Sequence, residues 1–368
     1  MREFELLQHV FAANAELPAR VVIPPGDDMG AIRLGGATLL VTVDQIADGV
    51  HVEVASTSLE KIGRKAITRN LSDVAAMAAR PVAAVAAASL PRDFGERNAT
   101  ALFDAMRITA ANFDCPLVGG DVSIWDHPLL LSVTIFAEPF ADVAPVLRTG
   151  ARPGDSIYVS GQLGGSLLTL ADDSDHPAMG ERNGYAGYTH HLDFTPRLEL
   201  ARTLASDPQL RPHCMIDLSD GLMSDLRHLC NAAGANEPRP SGSGCTASGP
   251  LPDGRGSLER GIGDGSGPRL SGIPGAQVDI DRLPIAKAAA LRARQTGRPV
   301  WEHAVCDGED YELLFTHPSD ALPQRVADVE LTRIGVIVER RDAAAPVVML
   351  QQAGATVTPA AQAWEHHG

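Results

Sequence analysis

The sequence predicts an α/β chain of two domains. Two observations carry this. Apolar runs of strand length alternate with segments of helical period, and a stretch rich in Pro and Gly, Pro145–Pro153, separates one such unit from a second that opens at Asp155. The length, 368 residues, suits one large or two medium domains, and 44% hydrophobic content is ample for their cores. The expected division is 1–145 and 146–368.

In order, Phe4, Leu7 and Phe11 at helical spacing predict a short helix within 1–20. Ala37–Val43 reads as a buried strand ending at Asp44, and Leu59–Ala79 as a helix broken near Asn70. Val82–Leu90 is a strand, Glu96–Phe113 a helix, and Pro116–Val118 and Leu129–Ala137 are strands. The second unit has strand Ser156–Ser160, a glycine-rich turn, helices Ser166–Ala171 and Pro196–Ala205, strand Cys214–Asp217, helix Gly221–Ala233 and strand Tyr311–Thr316. Segments 172–191 and 236–275 are polar or dense in Gly, Ser, Pro and Arg. They read as flexible insertions with too few large apolar residues to fold alone.

The formal charge of −15 argues against a nucleic-acid binder, which would carry a basic stripe. Lysine is confined to Lys61, Lys65 and Lys287, so phosphate contacts fall to Arg, backbone N–H groups and metal. Five scattered cysteines without CxxC spacing predict reduced thiols and a cytoplasmic setting. No charged-then-apolar leader opens the chain, and Pro81–Leu90 is too short to span a membrane.

Acidic residues recur beside Gly, Ser or Thr: Gly26-Asp27-Asp28, Thr42-Val43-Asp44, Asn70-Leu71-Ser72-Asp73, Gly119-Gly120-Asp121 and Asp217-Leu218-Ser219-Asp220. The expected positions are strand ends and helix starts. Converging carboxylates repel, by about 4 kcal/mol per pair at ~4 Å and an effective dielectric near 20, so the cluster implies hard cations such as Mg²⁺. Several such ions in one cleft imply a polyphosphate substrate. GxxxxGK[ST], the kinase HRD…DFG set and GxSxG are all absent. Gly161–Gly165 is either a tight turn or a dinucleotide turn. Metal-assisted phosphoryl transfer fits the rest, with Thr42 as a neutral ligand, Asp217 and Asp220 contributing from the second unit, and Gly119 and Gly120 admitting a phosphate. Arg148 is a solvated linker charge or a phosphate grip. His51 is structural or functional. Glu309 and Asp310, placed against an apolar strand, need a partner.

The ordered set GDD (26–28), TVDQIADGVH (42–51), NLSDVAAM (70–77), GGD (119–121), RTGARPGDSIYVSG (148–161), IDLSDGL (216–222) and GEDYELLF (308–315) resembles the thiamine-monophosphate kinase family. That family lies in the superfamily of aminoimidazole ribonucleotide synthetase, selenophosphate synthetase and the hydrogenase-maturation dehydratase. The resemblance implies an aminoimidazole-ribonucleotide-synthetase-like fold. Its N-terminal strands would pair across a homodimer into a barrel, and a C-terminal α/β domain would follow. It implies ATP, several Mg²⁺ ions and direct transfer to thiamine monophosphate. By motif position, Asp28, Thr42, Val43 (through its carbonyl), Asp44, Asp73, Asp121, Asp217 and Asp220 fall on metal sites. Gly120, Asp121, Arg148 and Ser219 fall on ATP, and His51, Glu309 and Trp364 on the acceptor. No general base is implied. Val52, Arg64, Arg69 and Val122 depart from the family pattern. The alternatives are a sister synthetase or dehydratase activity that forms a phosphorylated intermediate, and a non-catalytic nucleotide-binding module.

Overall fold

The computed structural model describes residue 10 and residues 17–141, 143–166, 190–234, 273–340, 342 and 345–360. The expected helix in 1–20 is described only at Val10, which is helical, and at 17–20, which are not. Helix Ser166–Ala171 lies outside the described residues beyond Ser166, as does Trp364.

Strands β1 (Val21–Ile23), β2 (Gly30–Leu34), β3 (Ala37–Ala47), β4 (Ala79–Pro91), β5 (Leu117–Trp125) and β6 (Leu130–Pro139) form one sheet in the order β1-β2-β3-β6-β4-β5. All pairs are antiparallel except β4 with β5. That parallel pair needs a crossover, which is α2 (Glu96–Asn112). Helix α1 (Leu59–Ala76) lies between β3 and β4 in the chain. Ser58 caps it, its side chain accepting from Lys61 N at 3.3 Å. Ile62, Ile67, Leu71 and Val74 of α1 pack into one core with Leu40, Ile46, Leu131, Val133 and Ile135 of the sheet and Leu102 and Met106 of α2. Burial at this depth stabilises by about 1.5–3 kcal/mol per large side chain.

The second sheet contains β7 (Ser156–Ser160), β8 (Cys214–Asp217), β9 (Ile273–Asp279), β10 (Leu313–His317), β11 (Arg325–Val326), β12 (Val329–Arg340), β13 (Val348–Gln352) and β14 (Ala355–Val357). Its order is β14-β13-β9-β12-β7-β10-β8, with β11 beside β12. The short helix α3 (His190–Asp193) and α4 (Leu198–Ser206) precede β8, α5 (Leu222–Gly234) follows it, and α6 (Lys287–Thr296) and α7 (Val300–Cys306) precede β10. One face packs on α5 and α7. The other brings Tyr158, Met215 and Phe315 against Leu200 and Leu204 of α4 and against Ala75, Ala76 and Ala78 at the end of α1. Helix α1 therefore serves both sheets.

Four expectations need correction. Strand β3 runs past Asp44 to Ala47, so Asp44 lies within a strand. Helix α1 is unbroken at Asn70, whose amide donates to Ala66 O at 3.1 Å inside the helix. Ser72 and Asp73 thus sit in the last turns of a helix, unlike Ser219 and Asp220, which do precede one. Asp121 lies inside β5, not at a strand end. The expected insertions also reach too far: His190 and His191 belong to α3, and Ile273–Gly275 to β9. The long strand β12 and helices α6 and α7 were not anticipated, because the 280–340 stretch lacks a clean period.

Candidate functional site

Strand β3 and helix α1 meet in register. Leu40, Thr42, Asp44 and Ile46 alternate onto the face covered by α1. Arg69 and Asp73, one turn apart on α1, meet that row. Arg69 Nε donates to Asp44 Oδ2 at 3.1 Å and Nη1 to Gln45 O at 2.9 Å, and Thr42 Oγ1 donates to Asp73 Oδ2. Val43 points to the other face, where its side chain is exposed, so only its carbonyl could join a site.

The second sheet delivers Asp217 at the end of β8. Ser72 Oγ of α1 donates to Asp217 Oδ2 at 2.6 Å, joining the two units. Asp28, Asp73 and Asp217 each place a carboxylate oxygen within 4.8 Å of the others. Arg148 Nη2 donates to Asp28 Oδ1 at 2.7 Å, and its backbone N–H to the Asp27 carboxylate at 3.2 Å. The other Asp28 oxygen is buried with no hydrogen-bond partner among the described residues. Burial, then the charges of Asp44, Asp217 and Asp28, raises Asp73 well above the usual carboxylate range. Burial and the charge of Asp28 push Asp217 up to about 8 and Asp27 to about 7. Carboxylates so placed favour either protons or a cation.

The turn after β8 is stitched to the loop before β10. Glu309 N–H donates to Ser219 O at 2.7 Å, Tyr311 N–H to Leu218 O at 2.8 Å, and Leu218 N–H to Glu312 O at 2.9 Å. Gly308 (φ +75°) is obligatory here, since a Cβ would lie 2.8 Å from Ser219 O. Glu309 and Tyr311 also sit at positive φ, 55° and 50°. Such strain costs of order 1 kcal/mol per residue and marks functional loops. Asp225 accepts from the N–H groups of Asp220 and Gly221 at 3.2 and 3.1 Å, fixing the turn that carries half-buried Ser219 and Asp220.

Two turns before Asp73 on α1, Lys65 Nζ donates to Glu309 Oε1 at 2.8 Å and to His51 O at 2.7 Å. His51 Nδ1 accepts from Ala47 N at 3.1 Å, closing its own turn. Asp310 turns away: its carboxylate accepts from Gly164 N at 2.9 Å and Ser166 Oγ at 3.0 Å. That contact makes the 161–165 segment a braced tight turn, with the Gly164 amide already committed.

Gly120 and Asp121 are not brought to this group. The β-ladders align Gln45, Ser132, Ala87 and Asp121 in one row. Asp121 is therefore three strands, roughly 14 Å, from β3, exposed on the free edge strand. A Cβ on Gly120 would meet Ala86 O at 1.8 Å, so close strand packing explains this glycine. The four departures from the family pattern all have places. Val52 joins the first core, Arg64 donates to Phe194 O at 2.8 Å, Arg69 holds Asp44, and Val122 is exposed on β5.

Sequence reasoning missed Lys65, Ser72 as the partner of Asp217, and Asp27. The available signal was the spacing of Lys65, Arg69 and Asp73, an i, i+4, i+8 polar stripe on a helix otherwise rich in Ala, Ile and Leu. The four described cysteines are buried and form no disulfide with one another.

The family model for AIR synthase related protein, N-terminal domain, matches residues 26–138. The thiamine-monophosphate kinase of Rhodopirellula baltica is 31% identical over 346 residues, which is 92% of this chain and 88% of the relative. That of Haemophilus influenzae is 29% identical over 92% of this chain and 90% of its own. Among solved structures, AaThiL complexed with AMPPCP and TMP superposes with TM-score 0.74 at 26% identity, covering 100% of this chain and 97% of that one. The hydrogenase maturation protein HypE of E. coli shares the fold, with TM-score 0.62 at 17% identity over 98% and 97% of the two chains. With these relatives spanning nearly its whole length and Asp28, Asp73 and Asp217 gathered between its two sheets, the chain belongs to the thiamine-monophosphate kinase family.

Proposed function

We propose that the chain transfers the γ-phosphoryl group of ATP to the phosphate of thiamine monophosphate, giving thiamine diphosphate and ADP. The observation that carries this is the three-carboxylate group of Asp28, Asp73 and Asp217, drawn from both units and bridged by Ser72. The Rhodopirellula baltica and Haemophilus influenzae relatives are thiamine-monophosphate kinases, and one similar structure holds AMPPCP and TMP.

The residues fit magnesium. The donors are hard oxygens, Asp28 retains a buried oxygen with no hydrogen-bond partner, and the group is self-repelling without a cation. Asp28, Asp73 and Asp217 would hold it, with Asp44, Thr42, the Val43 carbonyl and Asp220 at the margins. Bound there, it would neutralise phosphate charge during the transfer. The chain's own part is placement. Arg69 and Thr42 hold Asp44 and Asp73 in position, and Arg148 stands at the cluster ready to exchange Asp28 for a phosphate oxygen. The acceptor oxygen is already ionised, so no general base is needed, and rate follows from in-line placement. Glu309 and His51 would contact the acceptor and Ser219 the nucleotide, while Gly120 and Asp121, held on the edge strand, keep a nucleotide role by motif position alone. Trp364 keeps its acceptor role by motif position alone.

The chain acts as a homodimer through β5. Among the described residues this strand is one edge of its sheet, and Val118, Val122 and Ile124 are 64%, 66% and 65% exposed. A long apolar edge demands cover, and a second copy supplies a matching edge. Among the described residues no helix is long and apolar enough to cross a membrane, which accords with a cytoplasmic enzyme.

The test is direct. Purified protein with ATP, magnesium and thiamine monophosphate should give thiamine diphosphate and ADP, resolved by chromatography. Free thiamine should be inert. Nucleotide binding without product would overturn the assignment.

A further inference from the structure

One helix face bonds to residues from both sheets and from the loop before β10. Lys65, Arg69 and the Ser72–Asp73 pair rise along α1 at four-residue intervals. They engage Glu309 and His51, then Asp44 and Gln45, then Asp217 and Thr42. Lys65 and Asp73 are eight residues apart, so their levels differ by roughly 12 Å along the axis.

Lys65 is the outlier in this stripe. It is 0% exposed, and a lysine at that depth persists only when its ammonium is paired. Burial pulls it below its ordinary range, against the opposing charge of Glu309. Burial alone would raise Glu309. The charge of Lys65, with the Lys65 hydrogen bond, outweighs it and holds Glu309 low. Glu309 Oε1 is saturated, accepting from Lys65 Nζ at 2.8 Å and from Tyr311 OH at 3.3 Å. Its Oε2 makes no hydrogen bond among the described residues and is not sealed from solvent, since the side chain keeps 19% of its exposure.

We infer that Lys65 is a positioning residue that sets the reach of the acceptor: by holding Oε1 of Glu309 it aims Oε2 at the end of the acceptor remote from the transferring phosphate. Lys65 does not touch substrate. Glu309 offers an anionic acceptor oxygen at the Lys65 level of α1, two turns from the level of Asp73. The complementary chemistry is a hydrogen-bond donor on a cationic heteroaromatic ester. The exocyclic amine of an aminopyrimidine, a phosphate-ester length away from the reacting oxygen, meets that description. The acceptor is thereby selected at both ends, by its phosphate at the carboxylate group and by its far donor at Glu309. The inference rests on the acceptor role of Glu309 proposed above.

The experiment uses steady-state kinetics on Lys65→Met, Glu309→Gln and the double variant. The acceptors are thiamine monophosphate and the thiazole ethyl phosphate that lacks the pyrimidine. Losing a charge-assisted contact should raise the KM for thiamine monophosphate about tenfold or more in each single variant, with the KM for ATP nearly unchanged. The double variant should match Glu309→Gln alone, because Lys65 acts through Glu309. The truncated acceptor, which cannot reach Glu309, should be equally poor with all the proteins. If Lys65→Met fails to fold, the double variant, which leaves no charge unpaired, still gives the comparison with Glu309→Gln. Independent, multiplicative losses in the double variant, or a KM for ATP rising in parallel, would overturn the inference. An unchanged KM in Glu309→Gln would instead remove the acceptor role of Glu309 itself.

Discussion

The cleft face of α1 and the edge strand β5 both carry motif residues of the family, yet they are built in opposite ways. On that face of α1, buried or half-buried polar side chains bond across to other elements: Lys65 to Glu309, Arg69 to Asp44, Ser72 to Asp217. On β5, Gly119, Gly120, Asp121, Val122 and Ser123 are exposed, and their sheet partner lies on one side only. Among the described residues, the first region is bonded across the cleft and the second has a partner strand on one side only. A motif therefore marks function in both places, but only α1 shows from one chain how the function is held.

The comparison can be broken first at Asp73. Asp73→Asn should lower turnover by about a hundredfold or more at saturating magnesium. Removing one of the mutually repelling carboxylates should leave the metal-free protein as stable as before or more so, by about 1 kcal/mol. Activity near wild type would deny α1 its central role. The edge strand comes next. Val118→Lys with Ile124→Lys should convert a dimer to monomers in light scattering, without loss of fold, since both side chains are exposed. A smaller effect belongs to Gly120→Ala, whose methyl would press on Ala86 O. It should cost about 2 kcal/mol in chemical denaturation, the usual scale of overpacking. An unchanged midpoint would mean that β4 and β5 separate easily.

A further effect is a pH dependence at the Lys65 end of the stripe. Burial and the charge of Lys65 lower the buried His191 to about 4. Its folded pKa is depressed, so as pH falls below the unfolded value near 6.5 the unfolded chain takes up the proton first. Stability from neutral His191 is whole above that pH and declines toward pH 4, by at most about 3 kcal/mol. His191→Gln should flatten this part of the stability profile. A slope identical to wild type would show that His191 titrates freely.

Much of the site was legible because its chemistry is local in sequence. Asp28, Asp73 and Asp217 each stand in a short motif, and paired carboxylates with Gly, Ser or Thr advertise metal and phosphate. The misreadings share a physical cause. Ser72 and Asp73 look like a helix cap by composition, yet buried Leu71 and Val74 hold the helix through them. Lys65 looked like one of three sparse lysines, because a partner 244 residues away leaves no trace in a local pattern. Arg64 and Arg69 looked like losses of apolar contact. The structure shows each capping groups across the cleft, Arg64 the carbonyls at 193 and 194 and Arg69 the Asp44 carboxylate. Strand β12 escaped notice because a shift in its pairing between Arg333 and Gly335 breaks the two-residue alternation.

The account turns on one divalent-ion site shared by aspartates from both sheets. Calorimetric titration of Mn²⁺ into the protein with a non-hydrolysable ATP analogue, compared across Asp28→Asn, Asp73→Asn and Asp217→Asn, tests it most directly. Each substitution should weaken the same binding event by about tenfold or more. Wild-type affinity in Asp217→Asn, with loss only in the other two, would contradict a site built from both halves.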